Sequence, residues 1–339
     1  MRSYRFRIIV AFLAILLSLG AAVAALHGIS ESSSDPAYKM FDDFNKAFAK
    51  HWKTRTGVEV TIRQAQSKPG VPLRANLDGL NVVSLALSYD PIALQKNGKF
   101  TLPHWQKPLP QNSPFTSTIV FLVRKGNPKR LRDWNDLAQP GVEVVTSNPK
   151  TSDDARWSYL AAWGYALKQP GGNEATALEF VKKLFANVKA LETGTRTSVT
   201  TFVESGVGDV LLAWENEAHL IVEERGKDKF EIVTPSLSIM AEPTVSVVSD
   251  VAEQGEQHRT REVPKAYIDY LYTSKAQDIA AKHYYRPRDE KVAAKYAMQF
   301  PSVELFTIDE VFGGWKEAQN THFANGGAFD QIQTYLSAL

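Results

Sequence analysis

The chain has no cysteine. That excludes a disulfide framework, a thiol nucleophile and a lipid-anchored cysteine. It also has little net charge, with 39 Lys and Arg against 37 Asp and Glu for a formal +2. No concentrated basic patch marks a nucleic-acid surface, so no nucleic-acid partner is expected. Catalytic signatures are missing as well. The sequence holds no His-Glu-x-x-His, no Gly-x-Ser-x-Gly nucleophile elbow and no P-loop, and its seven histidines are scattered. Neither an enzyme nor a bound cofactor is expected. Low-complexity tracts and internal repeats are also missing.

What is present begins with a leader-like segment. Arg2, Arg5 and Arg7 precede an apolar run from Ile8 to Leu19, broken by Ser18, and Ala22-Val23-Ala24 offers small residues for cleavage. The run is short for a membrane span, so residues 1–24 read as a secretory signal peptide. Its removal takes away those three arginines and moves the formal charge from +2 to −1. An exported chain without disulfides or a lipid anchor fits a bacterial periplasm.

The remaining 315 positions alternate helix and strand. Phe41, Phe44, Phe48 and Trp52 form one stripe of a helix predicted over 38–54, which Gly57 ends. Strands are predicted at 58–63, 81–90, 117–128, 142–146, 209–214, 230–235 and 243–248. Helices are predicted from Asp133, over 174–185, from Glu215, and repeatedly after Val263. This alternation argues an α/β fold with mainly parallel sheets.

The stretch Ser147-Asn-Pro-Lys-Thr-Ser-Asp-Asp-Ala-Arg-Trp157 reads as a helix start with Ser152 at the N-cap. A helix N-terminus has unpartnered N–H groups and suits an anion. Here, however, the first turn carries two carboxylates, Asp153 and Asp154. They suit the helix dipole, and adjacent acids can also ligate a hard cation, though no metal site is expected. Asp35 precedes Pro36 at another helix start, where a plain cap is the alternative to a ligand contact. Trp214 ends a strand and precedes a helix. Strand C-termini in open α/β sheets face the ligand crevice, and an indole N–H only donates; a core tryptophan is the alternative. The hydroxyl-rich 193–202 segment is either a donor loop or a polar turn.

Together, the segments SNPKTSDDARWSYLAAWGYAL, TSTIVFLVRKGNPK, DWNDL, GVGDVLLAWENEA, GKDKFEIVTPS, EPTVSVV, YYRPRD and FTIDEVFGGW resemble the periplasmic sulfate/thiosulfate-binding proteins of ABC transporters. The resemblance runs in order through nearly the whole chain after the leader. It implies a two-lobed, type II-like periplasmic binding protein fold that closes a hinge over its ligand. It also implies a monomer that delivers a sulfate- or thiosulfate-like solute to an inner-membrane ABC permease. Lobe 1 is expected over 25–116 and 241–310 and lobe 2 over 117–240, with C-terminal helices over 311–339.

In such proteins a dehydrated anion is held by backbone N–H groups, a serine hydroxyl and a tryptophan indole. By resemblance, the ligand-binding positions are Asp35, Pro69, Gly70, Ser152, Asp153, Asp154, Thr195 and Trp214. Asp35, Ser152 and Trp214 match the pattern. Asp153 and Asp154 stand where two glycines are usual, Thr195 where an alanine is usual, and Pro69 where a donor serine is usual. Proline has no N–H, and a carboxylate facing a dianion is repulsive. The sequence therefore leaves open whether both carboxylates face the cleft or both turn outward. It also leaves open a scaffold repurposed for a cation, zwitterion or metal, or for sensing or interaction.

Overall fold

The computed structural model describes residues 23–30, 35–66, 82–87, 112–247 and 258–338. Its described strands form two main sheets, each with its own core. The first runs Thr244–Val247, Val82–Leu85, Val23–Ser30, Glu59–Gln66 in spatial order. The second runs Val188–Glu192, Val144–Ser147, Val210–Trp214, Ile119–Arg124, Phe230–Val233. Val23 and Ala24, at the expected end of the leader, open a central strand of the first sheet. Residues 1–22 of the expected leader lie outside the described residues.

The sheets are mixed, which corrects the expectation of mainly parallel ones. Thr244–Val247 runs antiparallel to its neighbour, and Ile119–Arg124 runs antiparallel to both of its own. The remaining main-sheet pairs are parallel. The reason is connectivity. Strands linked by a helical crossover within one sheet are parallel. Ile119–Arg124 and Thr244–Val247 each follow a passage of the chain from the other sheet, and that constraint does not reach them.

The first sheet is covered by the Asp35–Thr56 helix. Met40, Phe41, Phe44, Phe48 and Trp52 are buried along one stripe, as the 3–4 residue spacing dictates. Phe44 stacks on Phe115 at 5.9 Å, and Phe48 meets Tyr267 edge-on at 5.1 Å. The helix ends where Gly57 takes φ +73° and its N–H reaches the Lys53 carbonyl at 2.9 Å.

The second sheet buries both faces. Ile119 to Val123 are all buried, which explains the continuous apolar run of that strand. One face meets the Asp153–Leu167 helix, whose Trp157, Tyr159, Leu160, Ala161, Ala162 and Trp163 are buried around its circumference. A helix apolar all round must be enclosed. Its far side is closed by C-terminal segments: Phe306, Trp315, Phe329 and Ile332 join the same core. Trp157 and Trp315 meet edge-to-face at 4.6 Å. Gly164 lets the Phe306 ring lie on the helix backbone, because a Cβ there would stand 2.2 Å from Phe306 Cζ.

Candidate functional site

Three parallel strands of the second sheet end at the same edge, and each is followed by a helix. Ser147 leads to the Asp153–Leu167 helix, Glu192 to the Thr195–Val199 helix, and Trp214 to the Glu215–Arg225 helix. This is the crevice side of an open α/β sheet. The first N–H groups of each helix have no intrahelical partner, so their partial positive charges gather at one place. Ser147, Asp154, Ser158, Thr195, Ser198, Trp214 and Glu217 line a cavity there. Its volume is about 10 Å³, near the smallest that holds a water.

Seven of the eight expected site residues divide into three groups, and the eighth, Asp153, is not among the residues lining the cavity. Asp154, Thr195 and Trp214 line this cavity together. Ser152 is buried at the N-cap, and its hydroxyl makes no capping hydrogen bond to its own helix. It stands at the predicted N-cap, but the hydroxyl is not spent on capping. Asp35 opens its helix as expected; its side chain lies outside the described residues, and so do Pro69 and Gly70.

The two adjacent carboxylates do not behave alike, although the sequence suggested that they would turn together. Asp153 turns back along its helix and pairs with Arg156 at 3.1 Å, leaving its side chain 39% exposed. Arg156 is itself held by the Pro149 carbonyl at 3.0 Å. Asp154 turns inward. Its Oδ2 accepts a hydrogen bond from Thr195 Oγ1 at 2.9 Å, and its backbone carbonyl accepts one from Trp214 Nε1 at 3.3 Å. Burial pushes the Asp154 carboxyl up to about 6; the Thr195 hydroxyl opposes the rise and neighbouring Asp153 adds to it. Successive residues lie about 100° apart around a helix, so one carboxylate can face solvent while the next faces the cavity.

The first lobe closes over this edge. Trp157 Nε1 donates to the Ala86 carbonyl at 2.9 Å, just past the Val82–Leu85 strand. Arg286 forks onto Glu215, with Nε to Oε2 at 2.6 Å and Nη2 to Oε1 at 2.7 Å. Tyr284 lies flat on His219 at 4.9 Å and donates to Glu223 at 2.7 Å. Burial pushes the Tyr285 phenol far up, with Glu217 and then Asp154 adding to the rise, so Tyr285 lies near both acids as a neutral group.

Glu217, Tyr285 and the Glu215–Arg286 pair were not singled out from sequence. Tyr285 and Arg286 sit in the segment YYRPRD, whose resemblance was legible, but nothing in its spacing points to a cross-lobe contact. Among the described residues, no group of three or more His, Asp or Glu is arranged to hold a metal ion.

A family model described as "Bacterial extracellular solute-binding protein" matches residues 35–286. The chain is 57% identical over 303 residues to the sulfate-binding protein of Salmonella typhimurium, covering 88% of this chain and 91% of that one. It is 54% identical over 323 residues to the sulfate-binding protein of Escherichia coli, covering 94% and 97%. Among solved structures, the sulfate-binding protein SubI of Mycobacterium tuberculosis matches with a TM-score of 0.73 at 30% identity, over 88% of this chain and 99% of that one.

Proposed function

We propose that this chain, which belongs to the family of bacterial extracellular solute-binding proteins, captures sulfate or a similar oxyanion in its interlobe cleft and hands it to an inner-membrane ABC permease. It is a binding protein and not an enzyme. The observation that carries the ligand class is the convergence of the Asp153 and Thr195 helix starts with the Trp214 indole on one cavity. That cavity lies in a chain more than half identical to sulfate-binding proteins. Identity over nearly the whole length favours capture and delivery over a sensing or interaction role.

In this reading the ligand replaces the Asp154 carbonyl as the acceptor of the Trp214 N–H. Ser152 supplies a hydroxyl, and the backbone N–H groups of Asp153, Asp154, Thr195 and Gly70 supply the rest. The first-lobe helix that opens at Asp35 points its start at the ligand. Pro69 contributes shape and no donor. The leader is removed on export, and the mature protein is a periplasmic monomer. Its lobes span about 25–116 with 241–310 and about 117–240, and residues 311–339 form the C-terminal helices.

Titration calorimetry at low salt with sulfate, thiosulfate, molybdate and phosphate tests this. Saturable one-to-one binding of a tetrahedral oxyanion is expected, and Trp214→Phe should weaken it. Absence of binding by every oxyanion at every pH between 5 and 8 would end the proposal.

A further inference from the structure

Asp154 turns its carboxyl into the cavity at the point where the helix amides and the indole converge. Among the described residues no cation is paired with it. On its own helix, Asp153 carries a second negative charge, and the Arg156 guanidinium is occupied by Asp153 and by the Pro149 carbonyl. The Thr195–Val199 helix lines the cavity with Thr195, Ser198 and Val199, and the Val144–Ser147 strand with Thr146 and Ser147. The Glu215–Arg225 helix presents Glu217, and the first lobe presents the neutral Tyr285 phenol near both acids. Arg286 of the cross-lobe cluster is forked onto Glu215.

We propose that Asp154 makes oxyanion capture proton-linked: one proton bridges the Asp154 carboxyl and the bound oxyanion. With sulfate the carboxyl carries the proton and donates it as a hydrogen bond. With an oxyanion that keeps an O–H at neutral pH, such as hydrogen phosphate, the ligand carries it and the carboxylate accepts. This rests on reading the cleft as an oxyanion site and identifies which group in it senses pH.

Magnitudes favour proton uptake over repulsion. An ionised carboxylate about 4 Å from even a single ligand charge weakens binding roughly a thousandfold at an effective dielectric near 20. Burial has already moved Asp154 up to about 6. Protonating such a group at pH 7 weakens binding by only about tenfold. The site therefore takes up a proton rather than tolerate the repulsion. Thr195 supports either state, since its hydroxyl holds one carboxyl oxygen and leaves the other for the ligand.

The test is sulfate calorimetry from pH 5 to 8, in pairs of buffers with different ionisation heats. The protein should bind most tightly near pH 5 and lose about tenfold in affinity per pH unit above pH 7. Buffer-dependent heat at pH 7.5 should report close to one proton taken up per sulfate. Asp154→Asn, neutral at every pH, should bind with a flat profile and no proton uptake. Glu217→Gln should keep the slope, and inorganic phosphate should show a weaker slope than sulfate. A flat profile without proton uptake in the unmodified protein would overturn the proposal, and so would a slope lost in Glu217→Gln but kept in Asp154→Asn. If Asp154→Gly binds sulfate and the unmodified protein fails to bind even at pH 5, the carboxyl only blocks; the proposal then falls while the oxyanion reading stands. If neither protein nor Asp154→Asn binds at any pH, the oxyanion reading falls with it.

Discussion

Arg286 and Glu215 join the two lobes through a fork of two hydrogen bonds, 2.6 and 2.7 Å long, with Glu215 fully buried. Arg286 follows Tyr285 in the first lobe's core, and Glu215 directly follows Trp214 at the cleft edge of the second sheet. The Arg286 guanidinium also holds the Pro301 carbonyl at 2.9 Å. A buried pair of this kind is costly to break on one side and inexpensive to replace as a unit. Arg286→Met should therefore destabilise the protein by about 3–5 kcal/mol. The double change Arg286→Met with Glu215→Leu should recover most of that loss. Urea unfolding followed by tryptophan fluorescence measures both. Equal losses in the single and double variants would mean that the pair contributes packing and no charge neutralisation.

Gly164 offers a test of how the C-terminal segment is held. Its missing Cβ is the space the Phe306 ring fills. Gly164→Ala gains helix propensity of about 1 kcal/mol. It also drives a methyl into an aromatic ring with packed neighbours on every side, and overpacking costs about 1–3 kcal/mol. The net change should be destabilising and should be reversed by Phe306→Leu in the same chain. Thermal unfolding of the two single variants and the double variant decides it, and a more stable Gly164→Ala protein would show that the ring moves freely.

Stability of the ligand-free protein should depend on pH through Asp154. Its folded carboxyl sits at about 6 against an ordinary 3.8, raised mainly by burial. A raised acid favours folding fully below its unfolded pKa, and that contribution is lost as pH rises through the folded value. Between pH 4 and pH 7 the protein should therefore lose on the order of 3 kcal/mol relative to Asp154→Asn. Other buried acids titrate too, Glu215 and Glu242 among them, so the informative quantity is the difference between the two proteins. Parallel pH profiles would place the Asp154 carboxyl in water.

The fold was largely legible because its signals are local and strong. The Phe41–Trp52 stripe, the 119–123 apolar run and Trp214 at a strand-to-helix turn each state their environment in their own spacing. The Val188–Glu192 strand was not legible. It is a half-buried edge strand of five residues, and its alternation is too short to stand out beside the preceding helix. The antiparallel strands were missed because direction depends on where the chain arrives from, which no local pattern records. In the site, the resemblance marked the positions and the residue types showed the conflict of charge. The split between Asp153 and Asp154 was out of reach. It is decided by Arg156 one turn on and by Thr195, 41 residues away in sequence.

That split changes what reversion to glycine should do. By charge alone, the two aspartates oppose an anion equally. In the structure, burial also raises the Asp153 carboxyl, but Arg156 at 3.1 Å opposes the rise and the side chain stays 39% exposed, so the guanidinium and solvent partly screen it. Among the described residues no cation is paired with Asp154. Asp154→Gly should thus tighten sulfate binding at pH 8 far more than Asp153→Gly, by about a hundredfold if the carboxyl must otherwise take up a proton near 6. At pH 5 its advantage should nearly vanish, because the carboxyl is then already neutral. Asp153→Gly should act mainly on stability. It gives up a dipole-favourable acid, an ion pair and helix propensity, together about 1–2 kcal/mol. Sulfate titrations and urea unfolding of the two single variants separate these effects. Binding that improves equally in both, at pH 5 as at pH 8, would mean that glycine acts by opening space for the ligand and not by removing charge.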